Sequence, residues 1–237
     1  MAYTKRFDGR KLDETRKIEA KVGIIKNADG SAMFKFGDTI ALAAVYGPKP
    51  MHPQHLQNPA RGVLRVNYDM LSFSVPERKK PGPSRRSQEV SKVTEWALSS
   101  VIDLESYPNT VVDVHIMVLQ ANASTRVAGI NAAALALASA GITMKEMVSA
   151  VSIGKMDTTL VVDVDKEEED YEDGEGATDI PFAFLSKSGE ISLFQLDGKI
   201  SPEELKEAMR LGKKACKEIY EVQKKALKEV HEETEKW

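Results

Sequence analysis

Two places in this chain put arginines where helices should begin. In ERKKPGPSRRSQE, Arg78, Lys79, Lys80, Arg85 and Arg86 run directly into a helical pattern. Free backbone N–H groups at such an end favour an anion, and guanidinium groups add paired donors for phosphate oxygens. A second cradle opens at Ala123-Ser124-Thr125-Arg126, just ahead of an alanine-rich run. Ser124 or Thr125 can cap that helix, and Arg126 flanks its unpaired N–H groups. Glu89, one turn after Arg86, can orient a guanidinium or simply charge the helix start. The third feature is acidic. Residues 165–175 read DKEEEDYEDGE, and Asp173 and Asp179 flank the start of an apolar strand at Ile180. Two carboxylates converging there can hold a hard divalent cation through oxygen ligands. A solvated basic loop, a solvated acidic loop and ordinary Asp-Gly turn chemistry are the plain alternatives for each feature alone. Combined, two anion sockets and a carboxylate pair suit phosphoryl chemistry, with arginines fixing a nucleophilic phosphate and an acid or metal stabilising the oxygens that move. Composition leaves a simple nucleotide-binding surface equally open.

The elements that must position these residues follow from periodicity. Asp29-Gly30 is a turn signal between strand-like runs, and Ile40 to Val45 is apolar enough for a buried central strand. Residues 47–61 read as a proline-rich loop, and Val63 to Tyr68 as a strand with Arg61, Arg65 and Asn67 on one alternating face. The stretch 71–86 holds too many prolines for regular structure. From Ser87, Val90, Val93, Trp96-Ala97 and Val101 fall on one helix face. Val112, Val114, Ile116 and Val118 alternate as a strand, with Asp113 and His115 on its other face. Residues 127–140, VAGINAAALALASA, predict a helix buried at close range beneath a sheet, with Gly141 at its C′ position. Strands are expected near 148–153 and 159–164, and a pair at Ile180–Leu185 and Ile191–Leu196 across Lys187-Ser188-Gly189. Ser201-Pro202-Glu203-Glu204 is a helix start with cap, proline and N3 acid in place, opening a long amphipathic helix over 202–235. The order of elements predicts an α+β fold, mixed sheets packed against helices with a long C-terminal helix, in a single domain over 1–237. Neither a dinucleotide fingerprint nor a Walker A motif is present.

Composition bounds the function. The chain has 237 residues, a formal net charge of −3 and one cysteine, Cys216, which excludes an internal disulfide framework and an all-cysteine zinc site. His52 and His55 lack neighbours to complete a tetrahedral metal set. No run of eighteen apolar residues appears, and the charged opening MAYTKRFDGRKLDETRK lacks the apolar middle of a secretory signal. A cytoplasmic protein without a membrane partner is expected. The negative total argues against a generally basic coat for duplex binding but leaves room for a narrow basic channel.

The same residues carry a resemblance. From about residue 8 to residue 230, the chain resembles the archaeal exosome catalytic subunits of the RNase PH family. It does so through GRKLDETRKI, KNADGSAMFKFGDT, AAVYGPKPMHP, RGVLRVNYDM, ERKKPGPSRRSQEVSK, LQANASTRVAGINAAALALASAGI, Tyr171-Glu172-Asp173…Asp179 and LFQLDGKISPEE, in that order. The resemblance implies phosphorolysis, in which inorganic phosphate attacks the 3′-terminal bond of single-stranded RNA and releases a nucleoside diphosphate. It implies that Arg86 and Arg126 contact phosphate, that Ser124 and Thr125 lend backbone donors, and that Asp179 is the principal acid with Asp173 its partner. Through those two aspartates it implies Mg2+ or Mn2+. Arg61, Arg65 and Arg85 become RNA-binding candidates, and Tyr68 a base stack. Asn122 and Ser124 stand where the family usually has aspartate and glycine. Such subunits alternate with a related non-catalytic RNase PH-type subunit in a hexameric ring capped by RNA-binding proteins. A freestanding RNase PH trimming transfer RNA ends, a structural ring subunit and a hydrolytic nuclease are the rival readings.

Overall fold

Alternating apolar residues in the first half build one sheet. The computed structural model describes residues 3–77, 79–172, 174 and 176–234, the last four by backbone alone. β1 (Ile18–Val22), β2 (Gly30–Phe36), β3 (Thr39–Pro50), β4 (Val63–Met70) and β5 (Thr110–Gln120) pair in the order β1-β2-β3-β5-β4. β4 runs parallel to β5 and the other neighbours are antiparallel. A parallel neighbour needs a crossover, which α1 (Arg85–Ser99) supplies. β3 runs through Pro50, three residues past the start of the expected loop, with a register shift between Tyr46 and Lys49 that absorbs the Gly-Pro step.

The second half builds an antiparallel sheet in the order β7-β6-β8-β9, from β6 (Val148–Met156), β7 (Thr159–Val162), β8 (Ala177–Leu185) and β9 (Ile191–Phe194). α2 (Thr125–Ser139) packs on β2 and β3 of one sheet and on β6 of the other. Both faces covered by sheet explain its alanines, since larger side chains would force the layers apart. The approach is close enough that a Cβ on Gly30 would stand 2.3 Å from the Ala136 carbonyl oxygen. That glycine serves packing as well as the predicted turn.

A buried polar lock ties these layers together. Asn131 on α2 accepts from Ala150 N at 2.9 Å and donates to Ala150 O at 2.7 Å. Gln223 donates to Asn131 Oδ1 and Val148 O, and accepts from Ser149 Oγ at 2.8 Å. Gln223 lies on α4 (Pro202–Thr234), whose start carries the predicted reciprocal cap between Ser201 and Glu204. One apolar core runs through both sheets, α1, α2 and α4, and takes in Cys216. No helix among the described residues is long and apolar enough to cross a membrane.

Two local expectations change. α1 begins at Arg85 rather than Ser87, because Ser84 caps it and Ser87 returns the bond to Ser84 N at 2.7 Å. The acidic run is not wholly a solvated loop. It holds a short helix, α3 (Lys166–Glu169), capped by Asp165, with Glu168 completely buried.

Candidate active site

The two predicted anion sockets sit on separate helix starts that the fold brings together. Arg86 is the second residue of α1, and Glu89 lies one turn further on. Arg126 is the second residue of α2. With Glu169, Asp179, Gln195 and Asp197 they line a cleft of about 430 Å³. A neighbouring cleft of about 380 Å³ is lined by Lys79, Ala123, Thr125 and Lys166, and shares Arg86 and Glu169 with the first. Those two side chains therefore stand on the boundary between the clefts.

The turn before α2 has an unusual conformation. Ala123 and Ser124 have φ of 51° and 54°, both left-handed, a conformation that costs a non-glycine residue roughly 1–2 kcal/mol. Ser124 Oγ offsets part of that by reaching Val164 O at 2.9 Å and Asp163 Oδ1 at 3.2 Å. Its hydroxyl is thereby engaged within the protein. Asp163 is held by Arg16, whose Nε and Nη2 donate to its two oxygens at 2.8 and 2.6 Å. Arg16 Nη1 also donates to Asn122 O at 2.5 Å. Asn122 Oδ1 accepts from Lys166 N at 2.9 Å. Both departures from the family pattern are thus absorbed by bonds of their own.

Arg126 is tied on its outer side. Nη1 donates to Gln195 Oε1, and Nη2 stands 3.3 Å from Glu89 Oε1. Gln195 Nε2 donates to that same Glu89 oxygen at 3.1 Å. Buried Nε has no acceptor among the described residues, and a buried donor left without one costs about 1–3 kcal/mol. Arg85, Arg86 and Arg61 are exposed and make no hydrogen bond or ion pair among the described residues.

The acid comes from the other sheet. Asp179 on β8 accepts from Ser152 Oγ on β6. Its backbone exchanges two 2.9 Å bonds with Asp197, and Gln195 N donates to Pro181 O at 3.2 Å. The segment 195–197 is thereby zipped to 179–181. Burial pushes the Asp179 carboxyl above its ordinary value, the Ser152 bond opposes this, Glu169 adds to the rise, Arg126 works against it, and Asp197 adds again.

Of the residues singled out from sequence, Arg86, Arg126 and Asp179 converge, and Thr125 lines the adjoining cleft. Asp173 falls outside the described residues. Among the described residues no three His, Cys, Asp or Glu side chains cluster to cage a metal. Arg65 lies elsewhere, paired to Asp113 at 2.6 and 2.8 Å on a carboxylate it shares with Lys49. It is five strand residues before Met70, roughly 17 Å along β4. Tyr68 is corrected outright. It is only 1 % exposed, with its ring against α2 at Gly129, so it has no face open to a base. Its alternation with Arg65 and Asn67 already placed it on the core side. Ser152, Glu169, Gln195 and Asp197 were not foreseen as site residues. Gln195 and Asp197 lay in the quoted LFQLDG motif, but nothing local marks them as site residues.

Two arginines at helix N-termini share one cleft with a buried carboxyl on an α+β frame, a combination that suits an anion. The particular lineage follows from comparison. The chain belongs to the 3′ exoribonuclease family of RNase PH type, with domain 1 of that family matching residues 14–143 and domain 2 matching 146–215. The boundary falls between α2 and β6, so the two matches correspond to the two sheets. It is 52% identical over 213 residues to the exosome complex component Rrp41 of Thermococcus kodakarensis, covering 90% of this chain and 84% of that protein. The Pyrococcus furiosus component of the same name is also 52% identical, with the same coverage. Among solved structures, rice Rrp46 superposes with a TM-score of 0.83 at 26% identity, over 94% of this chain and 100% of that one. A chain of the RNA-bound Archaeoglobus fulgidus exosome superposes with 0.79 at 24% identity, over 92% of each, and supports the fold alone.

Proposed function

We propose that this chain is the catalytic RNase PH-type subunit of an archaeal exosome, a phosphate-dependent 3′-to-5′ exoribonuclease acting on single-stranded RNA. The observation that carries this reading is the convergence of Arg86, Arg126 and Asp179 on one cleft, in a chain whose relatives are exosome components. Arg126 and Arg86 bind the attacking phosphate, helped by the backbone N–H groups of Ser124 and Thr125 at the start of α2. A phosphate oxygen bonds to the phosphorus of the last internucleotide link. The bond from that phosphorus to the upstream 3′-oxygen breaks, and the Asp179 carboxyl gives its proton to the departing oxygen. The products are a nucleoside diphosphate and an RNA shorter by one nucleotide. The raised pKa of Asp179 suits a group that must hold a proton before it transfers one.

As the alternative role for Asp179, it would join Asp173 as the pair that holds Mg2+ or Mn2+, ionised and donating no proton. Such an ion takes one or two carboxylates and completes its shell with water and substrate phosphates. When bound it supplies charge neutralisation at the transferring phosphoryl group. Arg61, Arg65 and Arg85 are assigned to the RNA backbone before it reaches the cleft, as exposed cations outside it. We read residues 1–237 as one domain, working in the cytoplasm within a hexameric ring that alternates with a related non-catalytic subunit and carries RNA-binding cap proteins.

The test is labelled single-stranded RNA with magnesium, with and without inorganic phosphate, using the chain alone and assembled with its ring partner. Diphosphates released only with phosphate and partner are expected. The same products from the chain alone would identify a freestanding enzyme, monophosphates without phosphate a hydrolase, and no product in an assembled ring a structural subunit.

A further inference from the structure

A guanidinium waiting for phosphate in this cleft is already engaged. Arg126 Nη2 is 3.3 Å from Glu89 Oε1, and Nη1 donates to Gln195 Oε1. Gln195 Nε2 closes the triangle on the same Glu89 oxygen at 3.1 Å. The three corners differ in freedom. Gln195 is pinned, because its N donates to Pro181 O and its segment is zipped to Asp179 through Asp197. Arg126 is rooted in the buried start of α2. The Glu89 side chain is about half exposed, lies one turn beyond Arg86 on α1, and its other oxygen makes no bond among the described residues. It is the corner that can leave.

We infer that Glu89 is an internal stand-in for the anion: its carboxylate occupies Arg126 while the cleft is empty and is displaced when inorganic phosphate binds, with Gln195 keeping the guanidinium in place during the exchange. The inference rests on the phosphorolytic reading and adds a specificity element to it. A carboxylate and a phosphate both seek the Nη edge of one guanidinium, and both carry negative charge, so they cannot share it at low cost. A weak anion at modest concentration would fail to displace Glu89. Phosphate, with more charge and more acceptor oxygens, would succeed. Exchange of this kind involves no covalent step, and Glu89 swings towards solvent as the phosphate arrives.

The direction of one measurement decides the matter. Binding of inorganic phosphate to the full-length chain is followed by calorimetry, and the phosphate KM of the assembled ring is measured alongside. Glu89→Gln removes the competing charge while keeping the shape, and Glu89→Ala removes both. Both variants are expected to bind phosphate more tightly, by about fivefold for one screened charge near the surface. Gln195→Ala, which loosens the pinned corner, is expected to weaken it. A side chain that only orients Arg126 would give the opposite result, so unchanged or weaker phosphate binding in both Glu89 variants overturns the inference. Loss of folding cannot imitate the expected outcome, since damage does not tighten a site. If the unaltered chain binds no phosphate by calorimetry and the ring needs none for turnover, it is the phosphorolytic reading that fails.

Discussion

The two halves of the molecule contribute the arginines and the buried acid of one cleft and hold them by different means. Residues before 143 bring Arg86 and Arg126 on helix starts, exposed or tied by side-chain bonds at the rim. Residues after 146 bring Asp179 and Asp197 on backbone-paired segments, with Ser152 beneath. The acid is thus fixed to about the precision of a sheet, while the cations can adjust to what arrives. The difference teaches where rigidity is needed. A proton must be delivered to one departing atom, so its donor is built into a strand. A phosphate is recognised by several oxygens, so its clamps can be side chains on helix ends.

The contrast can be broken or sharpened by experiment. The largest effect is expected at Asp179. Asp179→Asn should lower diphosphate release by about 100- to 10,000-fold while the fold persists, measured in the assembled ring beside a thermal melt. The same variant tests the burial argument. A carboxyl whose pKa is raised on folding binds its proton more tightly in the native state. The stability it contributes is therefore lost as pH rises from its ordinary 3.8 through the raised value. Replacing it by asparagine should flatten that decline, read as the melting midpoint followed upward from about pH 4.

Next comes the buried pair beneath the turn. Arg16→Met leaves buried Asp163 with Arg10, at 3.6 Å, as its remaining cation, and should cost about 3 kcal/mol in denaturant unfolding. Retained stability would show that the left-handed turn supports itself. Arg126→Lys keeps the charge but loses the fork, and should raise the phosphate KM by about 10- to 100-fold. Smallest is Arg65→Ala. It should leave the phosphate KM alone and reduce the salt slope of RNA binding by about 1, which would separate the approach of RNA from the chemistry.

How much of this was legible in the sequence depends on how far each partner lies along the chain. Caps, alternation and the alanine run are local, so α2, β5, the start of α4 and the two arginine sockets could be read directly. The apolar residues at 64, 66 and 68 also alternate against Arg65 and Asn67, and that pattern, taken strictly, would have kept Tyr68 in the core. The acidic run misled because charge density reads as solvation, whereas Glu168 is neutralised by Arg6, a residue 162 positions away. Gln195 meets Glu89 across 106 positions, and Asp163 meets Arg16 across 147. No spacing rule reaches that far. The chemistry of the individual groups was visible, but their grouping was not.

The clasp formed by Arg6 has a consequence in time as well as space. Arg6 Nε and Nη2 each lie 2.7 Å from Glu168, Tyr3 donates to the same carboxylate at 2.8 Å, and neither side chain of the Arg6–Glu168 pair touches solvent. During synthesis, residues 3–16 leave the ribosome long before the carboxylates that pair with Arg6 and Arg16, which lie 162 and 147 positions further on. The first sheet can close while that segment waits outside it. Only when 163–168 have been made does it find its place, and only then is the turn ahead of Arg126 braced from below. Contacts so remote in sequence form late in folding, so the site should be among the last parts of the nascent chain to mature, a built-in delay between having a fold and having an enzyme.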